Sequence, residues 1–249
     1  MSRSDDYQQN HCILRFDYHY GRGLRLMSAC LSEAIGDDSE AMWIGSILIC
    51  LVTMARGPSK GNFLFFGSEG PVEWISLLQG VNLISNMIQK RRQTNSREQV
   101  SLSTSFRDRC VYQDIIYGLK RFTTEQAASD PLLQTYLFAI DGVLEAFNSA
   151  FHDHALDQHD PSPAKIEPFG FVLFTWVTHM ERGFWDALQR KEALPLVIVA
   201  HFVVVIHRMN KSWLSHGWPA HILQGIWTFL KEEDRELIKW PMDQIRVST

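Results

Sequence analysis

The chain has 249 residues, 45% of them hydrophobic and 12% aromatic, which suffices for a buried core and excludes a disordered polypeptide. Its 24 basic and 28 acidic side chains leave a net charge of −4, so it offers phosphate backbones no general attraction and is not expected to bind DNA directly. Cys12, Cys30, Cys50 and Cys110 are too widely spaced for a zinc site and read as buried thiols in a reducing compartment.

The opening "MSRSDDYQQNH" is polar and lacks a hydrophobic signal region, so a nuclear or cytoplasmic location is expected. Tyr20, Leu24, Met27, Leu31 and Ile35 recur at helical spacing, and Gly36 closes that helix. "DDSE" (37–40) caps a second helix, "AMWIGSILICLVTMA" (41–55). That helix is apolar nearly all round and is expected at the centre of the fold. Its 15 residues fall short of the ~20 needed to cross a bilayer, so no membrane insertion is expected. "ARGPSKGNFLFFGSEGP" (55–71) is a Gly/Pro-rich loop with apolar residues in its middle. Exposing its Phe side chains costs ~1.5–3 kcal/mol each, so the loop should fold back onto the core or over a cavity. Pro71 opens an amphipathic helix carrying Trp74, Leu77, Leu78, Val81, Ile84 and Ile88. Residues 89–105 are almost free of apolar side chains and read as a mobile connection, with Lys90, Arg91 and Arg92 a charged helix end rather than a nuclear import patch.

Asp130-Pro131 starts the clearest helix, with the stripe Leu133, Leu137, Ile140, Leu144, Phe147 and Phe151. "HDHALDQHDPSP" (152–163) ends it in a solvated loop. His152, Asp153, His154, Asp157, His159 and Asp160 lie there, but no second cluster exists to complete a metal site. A long helix is expected from Pro168 to Gln189, with Phe169, Leu173, Trp176, Met180, Phe184 and Leu188 on one face. "LPLVIVAHFVVVIHRM" (194–209) suits a buried strand or a buried helix; its 16 residues and the lack of any partner strand decide for the helix. The last helices, about 212–230 and 232–239, turn Trp218, Ile222, Ile226 and Phe229 inward. Pro241 should then stop the chain's helical run while Trp240, Met242 and Ile245 pack back on earlier helices.

These elements predict an all-α fold without significant sheet. It is read as a single multi-helix domain over 1–249: N-terminal helices in 10–88, the connection 89–105, and C-terminal helices in 106–245. "DDSE" superficially resembles the aspartate-rich helix of terpene cyclases, but it stands at a helix start without a partner motif. No nucleophile elbow, phosphate loop or H-E-x-x-H appears, and neither metal nor cofactor is expected. His201 and His207 fall on different helix faces and read as core or rim histidines. Trp176, Trp185, Trp213, Trp218, Trp227 and Trp240 crowd the last third, as a core or a pocket lining would require.

At "FLFFGSEGPVEWISLLQGV" (63–81), and again through the Ala-His-Phe segment, the Trp213/Trp218 pair and the terminal Trp-Pro-Met, the sequence resembles a fungal family. It is similar, over roughly residues 20–245, to the C-terminal regulatory domain of zinc-binuclear-cluster transcription factors of the sterol uptake control type. The resemblance implies an all-helical domain with a hydrophobic pocket for a lipid such as a sterol, coupled to gene activation. The six-cysteine DNA-reading cluster is missing: Met1 opens almost directly onto the first helix, as expected of a truncated or reused domain. The implied partners are a sterol- or isoprenoid-like molecule, another transcription factor and a second copy of the chain. Met42, Trp176, Met180, His201, Val205, Trp213 and Trp218 are the candidate walls, in competition with plain core packing. The alternative is a pathway enzyme that cyclises or rearranges an apolar intermediate in the same pocket, with His201, Asp141 or Glu145 moving protons.

Overall fold

The computed structural model describes residues 15, 18–27, 29, 39–70, 72, 75, 111–156, 168–208 and 215–246. The described part is all-α: its strand content is limited to isolated bridges joining Ser59 to Asn62 and Asn62 to Gly67. None of the described helices is long and apolar enough to cross a membrane. The chain, read above as one domain, divides into two compact units, 1–56 with 73–98 and 57–72 with 99–249.

In the smaller unit, residues 18–27 are helical and α1 spans Ser39–Ala55. The Tyr20 hydroxyl lies 2.8 Å from Thr53 Oγ1, and the Arg56 guanidinium sits 4.9 Å above the Tyr20 ring. The expectation that this helix is the centre of the fold is not met. Ile44 and Leu48, one turn apart, are exposed at 48% and 55%.

The central helix belongs to the larger unit. There α2 spans Val111–Gln126, α3 Leu133–Leu156, α4 Pro168–His179, α5 Arg182–Gln189, α6 Ala193–Arg208 and α7 Trp218–Phe229. A 3₁₀ helix over Glu232–Ile238 leads into α8, Lys239–Arg246. Every residue of α6 from Pro195 to Ile206 is buried, because α3, α5, α7, α8 and the 3₁₀ helix all pack on it. A strand of that length would have needed partners on both edges, whereas a helix satisfies its own backbone and only has to be surrounded.

Three boundaries depart from the sequence reading. The stretch 168–189 is two helices, broken where Glu181 turns extended at φ −68° and ψ 155°. The inward spacing continues across the break, so periodicity cannot register it; Glu181 Oε2 there accepts a bond from Thr135 Oγ1 at 2.6 Å. The 212–230 helix begins only at Trp218, after Gly217 at φ 78°. Pro241 does not stop a helix but sits in the first turn of α8, where its missing N–H has no intrahelical partner to lose. At the other end of the cap repertoire, Asp130 Oδ1 accepts from the Leu132 N–H at 2.8 Å and starts α3, which runs on to Leu156. Residues 152–156, His152, Asp153 and His154 among them, are thus helical, and 157–163 lie outside the described residues, as do 89–105.

The tail is docked. Ile238, Pro241 and Ile245 are buried, Trp240 stacks on His201 at 5.9 Å and 10°, and Arg208 donates to Gln244 Oε1 at 2.6 Å.

A loop seated in the helical core

Residues 57–72 belong to the larger unit, and their local geometry explains how an irregular segment enters a core. Gly57 and Gly61 take φ of 76° and 79°, conformations open to glycine. Asn62 Oδ1 then accepts from the Leu64 N–H at 3.0 Å, Phe63 N–H donates to the Phe66 carbonyl at 3.0 Å, and Ser68 N–H donates to the Gly61 carbonyl at 2.8 Å. This tight knot forces Leu64 to φ 64°, a left-handed conformation that costs an L-residue roughly 1–2 kcal/mol. The compensation is burial: Leu64, Phe65 and Phe66 are 1%, 0% and 0% exposed.

Phe65 meets a nest of aromatics. Its ring stands edge-on to Trp176 at 6.2 Å and to Phe202 at 6.0 Å, and these two stack on each other at 4.0 Å. Phe184 and Trp185 close on Trp176 edge-first at 5.8 and 6.4 Å. Such edge-to-face pairs add about 0.5–1.5 kcal/mol each beyond area burial. Trp176 also satisfies its indole N–H on the Ala139 carbonyl of α3 at 3.2 Å. Phe63 stacks on Phe66 and on His221, both at 5.1 Å, and lies against Gly225, which leaves it room. His221 Nε2 is 2.9 Å from the Asn62 carbonyl; a carbonyl only accepts, so Nε2 carries the proton.

Gln189, at the end of α5, is the loop's other polar clamp. Its Nε2 donates to the Phe65 carbonyl at 3.2 Å, which fixes the amide's orientation and turns Oε1 the other way. That Oε1 is buried without a hydrogen-bond partner.

His201 supplies a second unmet acceptor, on a neighbouring face of α6. Nε2 lies 3.2 Å from the Leu237 carbonyl and therefore donates, leaving a bare lone pair on Nδ1, buried and unpartnered. Burial pushes the imidazole pKa down to about 4, against the smaller upward pull of the Leu237 bond. The ring is neutral at pH 7, sandwiched by Trp240, while the Tyr112 hydroxyl is directed at the His201 backbone carbonyl at 3.4 Å.

The candidate walls therefore distribute over several places. Trp176 and Met180 are buried together beside Gly142. His201 and Val205 share one side of α6, both buried. Trp218 is buried at the start of α7, edge-on to His221. Met42 lies on α1 in the smaller unit, its side chain outside the described residues, and so is Trp213 altogether. The proton-transfer trio does not gather: Asp141 and Glu145 are on the exposed side of α3, and Asp141 is held by Lys120 Nζ at 2.7 and 2.8 Å, while His201 is enclosed. Among the described residues no group of three or more His, Cys, Asp or Glu could hold a metal ion.

Sequence reasoning marked the loop but missed Phe202 and Gln189. Phe202 is one of many apolar residues in α6, and a glutamine at a helix end reads as solvated; neither carries a local signal. The groups gathered here are aromatic rings with a few isolated polar atoms among them. No family model matches the chain, and no curated protein and no solved structure matches it.

Proposed function

We propose that the chain is a ligand-binding regulatory domain whose larger unit takes up an apolar small molecule of sterol or isoprenoid kind, as the resemblance to the C-terminal part of fungal zinc-binuclear-cluster regulators implies. The observation that carries this reading is the loop: two fully buried phenylalanines enter the helical core from a glycine-hinged segment rather than from a helix. An aromatic nest filled by a loop can change occupant without unfolding its helices. Burying both phenyl groups is worth ~3–6 kcal/mol, before the cost of ordering the loop and bending Leu64 is subtracted. A guest hiding roughly 400 Å² of apolar surface gains ~10 kcal/mol, before association costs are subtracted. Exchange is therefore within reach of a micromolar ligand.

The chain's net charge of −4 makes a partner the means of reaching DNA, and the output is a change in that partnership, in the nucleus or on the way to it. Titration of the purified protein with a fluorescent sterol, read as energy transfer from tryptophan, tests the reading. Saturable one-to-one transfer supports it; a flat response up to the solubility limit refutes it. Release of rearranged product at substoichiometric protein would instead establish the enzyme alternative.

A further inference from the structure

We propose that residues 57–72 are a finger by which the first 98 residues of the chain grip the rest. Its seat on α4–α7 is a recognition surface for a preformed aromatic turn, and it holds the two stretches together without need of the covalent connection between them. The inference is independent of any small molecule. The chain passes between the two compact units at 56/57, 72/73 and 98/99. Residues 57–72 thus count with the larger unit, although the chain on both sides of them belongs to the smaller one. Since 1–98 is one continuous stretch, the loop is its projection among the helices of 99–249.

The base of the finger is anchored. α1 ends at Ala55, the Arg56 N–H still donates to the Val52 carbonyl at 3.2 Å, and the Arg56 guanidinium rests over Tyr20. Gly57, at φ 76°, then turns the chain out of the helix. The tip is shaped by its own backbone. Asn62 N–H donates to the Ser59 carbonyl at 3.0 Å, the Phe63 and Ser68 amides close the knot on Phe66 and Gly61, and the rings of Phe63 and Phe66 stack. A ligand that holds its bound shape by its own bonds loses less freedom on binding. The receiving side complements this tip. Phe63 fills the space that the missing side chain of Gly225 leaves on α7, Phe66 meets Phe229 edge-first, and Phe65 reaches Trp176 and Phe202. The Gln189 amide and the His221 ring donate to the Phe65 and Asn62 carbonyls at the same surface. Aromatic anchors seated in fitted, water-free pockets are what carries the energy of protein–protein recognition, and here they join two stretches of one chain.

The test cuts the connection in the folded protein. A protease recognition sequence flanked by glycine-serine spacers is inserted between Glu98 and Gln99 of the whole chain, which is purified and then cleaved. The two pieces are expected to elute together in size-exclusion chromatography at low micromolar concentration and to separate only in denaturant. A dye on each piece and energy transfer on dilution give the dissociation constant. Phe65→Ala is expected to raise it at least about a hundredfold, and Gly225→Ala, which acts from the receiving side, about tenfold. Phe65→Leu keeps an apolar side chain in the seat and covers the case in which the alanine variant does not fold; about a tenfold rise is expected. Ile245→Ala loosens the buried tail instead, and as the control for general loss of stability should stay within about twofold. Pieces that part in the cleaved wild type overturn the proposal. So does a dissociation constant that the substitutions at 65 and 225 leave unmoved, or one that Ile245→Ala raises as much as they do. None of these results bears on whether a sterol binds, so the functional reading above stands or falls separately.

Discussion

Consider His201→Phe and the pH dependence of stability. In the folded chain the imidazole is neutral, enclosed, and held down to a pKa of about 4; released into solvent it returns to 6.5. Above about pH 7 both states carry a neutral ring, and the histidine contributes no pH dependence. Between 6.5 and 4 the unfolded chain takes up a proton that the folded one refuses. Stability then falls as pH falls, by up to ~1.36 kcal/mol per pH unit. Below about 4 the folded state accepts the proton as well, and the loss levels off. The whole excursion is about 3 kcal/mol, a large part of the ~5–15 kcal/mol typical of a domain. The variant loses the Leu237 bond, an offset of roughly 1 kcal/mol that pH does not alter, and keeps an aromatic ring for Trp240 to stack on. Urea denaturation followed by tryptophan emission, at half-unit steps from pH 8 to 4, gives the difference between the two proteins, in which the common carboxylates cancel. That difference should be constant above pH 7 and shift by about 3 kcal/mol in favour of the variant by pH 4. A difference that stays flat would mean that His201 titrates in the folded chain as it does in water, and the account of the tail as its seal would fail.

Three further substitutions probe neighbouring parts of the same logic. Gly225→Ala places a methyl group into the Phe63 ring, so melting should show a loss of about 1–3 kcal/mol, with increased exchange in 57–72 before the helices open. Lys191 occupies the left-handed position that ends α5, at φ 59°, with its N–H on Leu188 and the Glu192 N–H on Ala187; Lys191→Gly should be neutral or stabilise by up to about 1 kcal/mol in chemical denaturation. Asp141→Asn breaks only the exposed clip to Lys120, so a change in stability beyond about 1 kcal/mol, or any effect on ligand affinity, would contradict its placement outside the site.

The fold class was legible because it rests on spacing and length. Apolar residues three and four apart mark a helix whatever they pack against, and sixteen residues with no partner strand left 194–209 no other choice. What spacing cannot carry is who sits beside whom. The helix over 41–55 and α6 are equally apolar, yet among the described residues α6 is buried from Pro195 to Ile206 while Ile44 and Leu48 are exposed, and only the packed chain distinguishes them. The break at Glu181 was invisible for a related reason: the side chains before and after it face inward at intervals a continuous helix would also produce.

The site divides along the same line. That "FLFF" must be buried follows from the cost of wet phenyl rings, and its burial was legible from the loop alone. Where it is buried depends on Trp176 and Phe202 lying 4.0 Å apart across two helices, a juxtaposition of residues 26 positions apart that no local pattern announces. His201 and Phe202 are consecutive, yet one is roofed by Trp240 and the other faces Phe65, because neighbouring residues on a helix point about 100° apart. A tally of tryptophans and histidines merges these two environments into one imagined pocket. Separating them matters physically. The His201 side is closed by the 3₁₀ helix and α8 with the buried apolar anchors Ile238, Pro241 and Ile245, whereas the Phe65 side is closed by an irregular loop that Gln189 and His221 bond and that carries a left-handed leucine. Opening the first requires peeling off secondary structure; opening the second leaves the helices intact and costs the burial of Leu64, Phe65 and Phe66. If the domain admits a guest, the cheaper door is the one it uses.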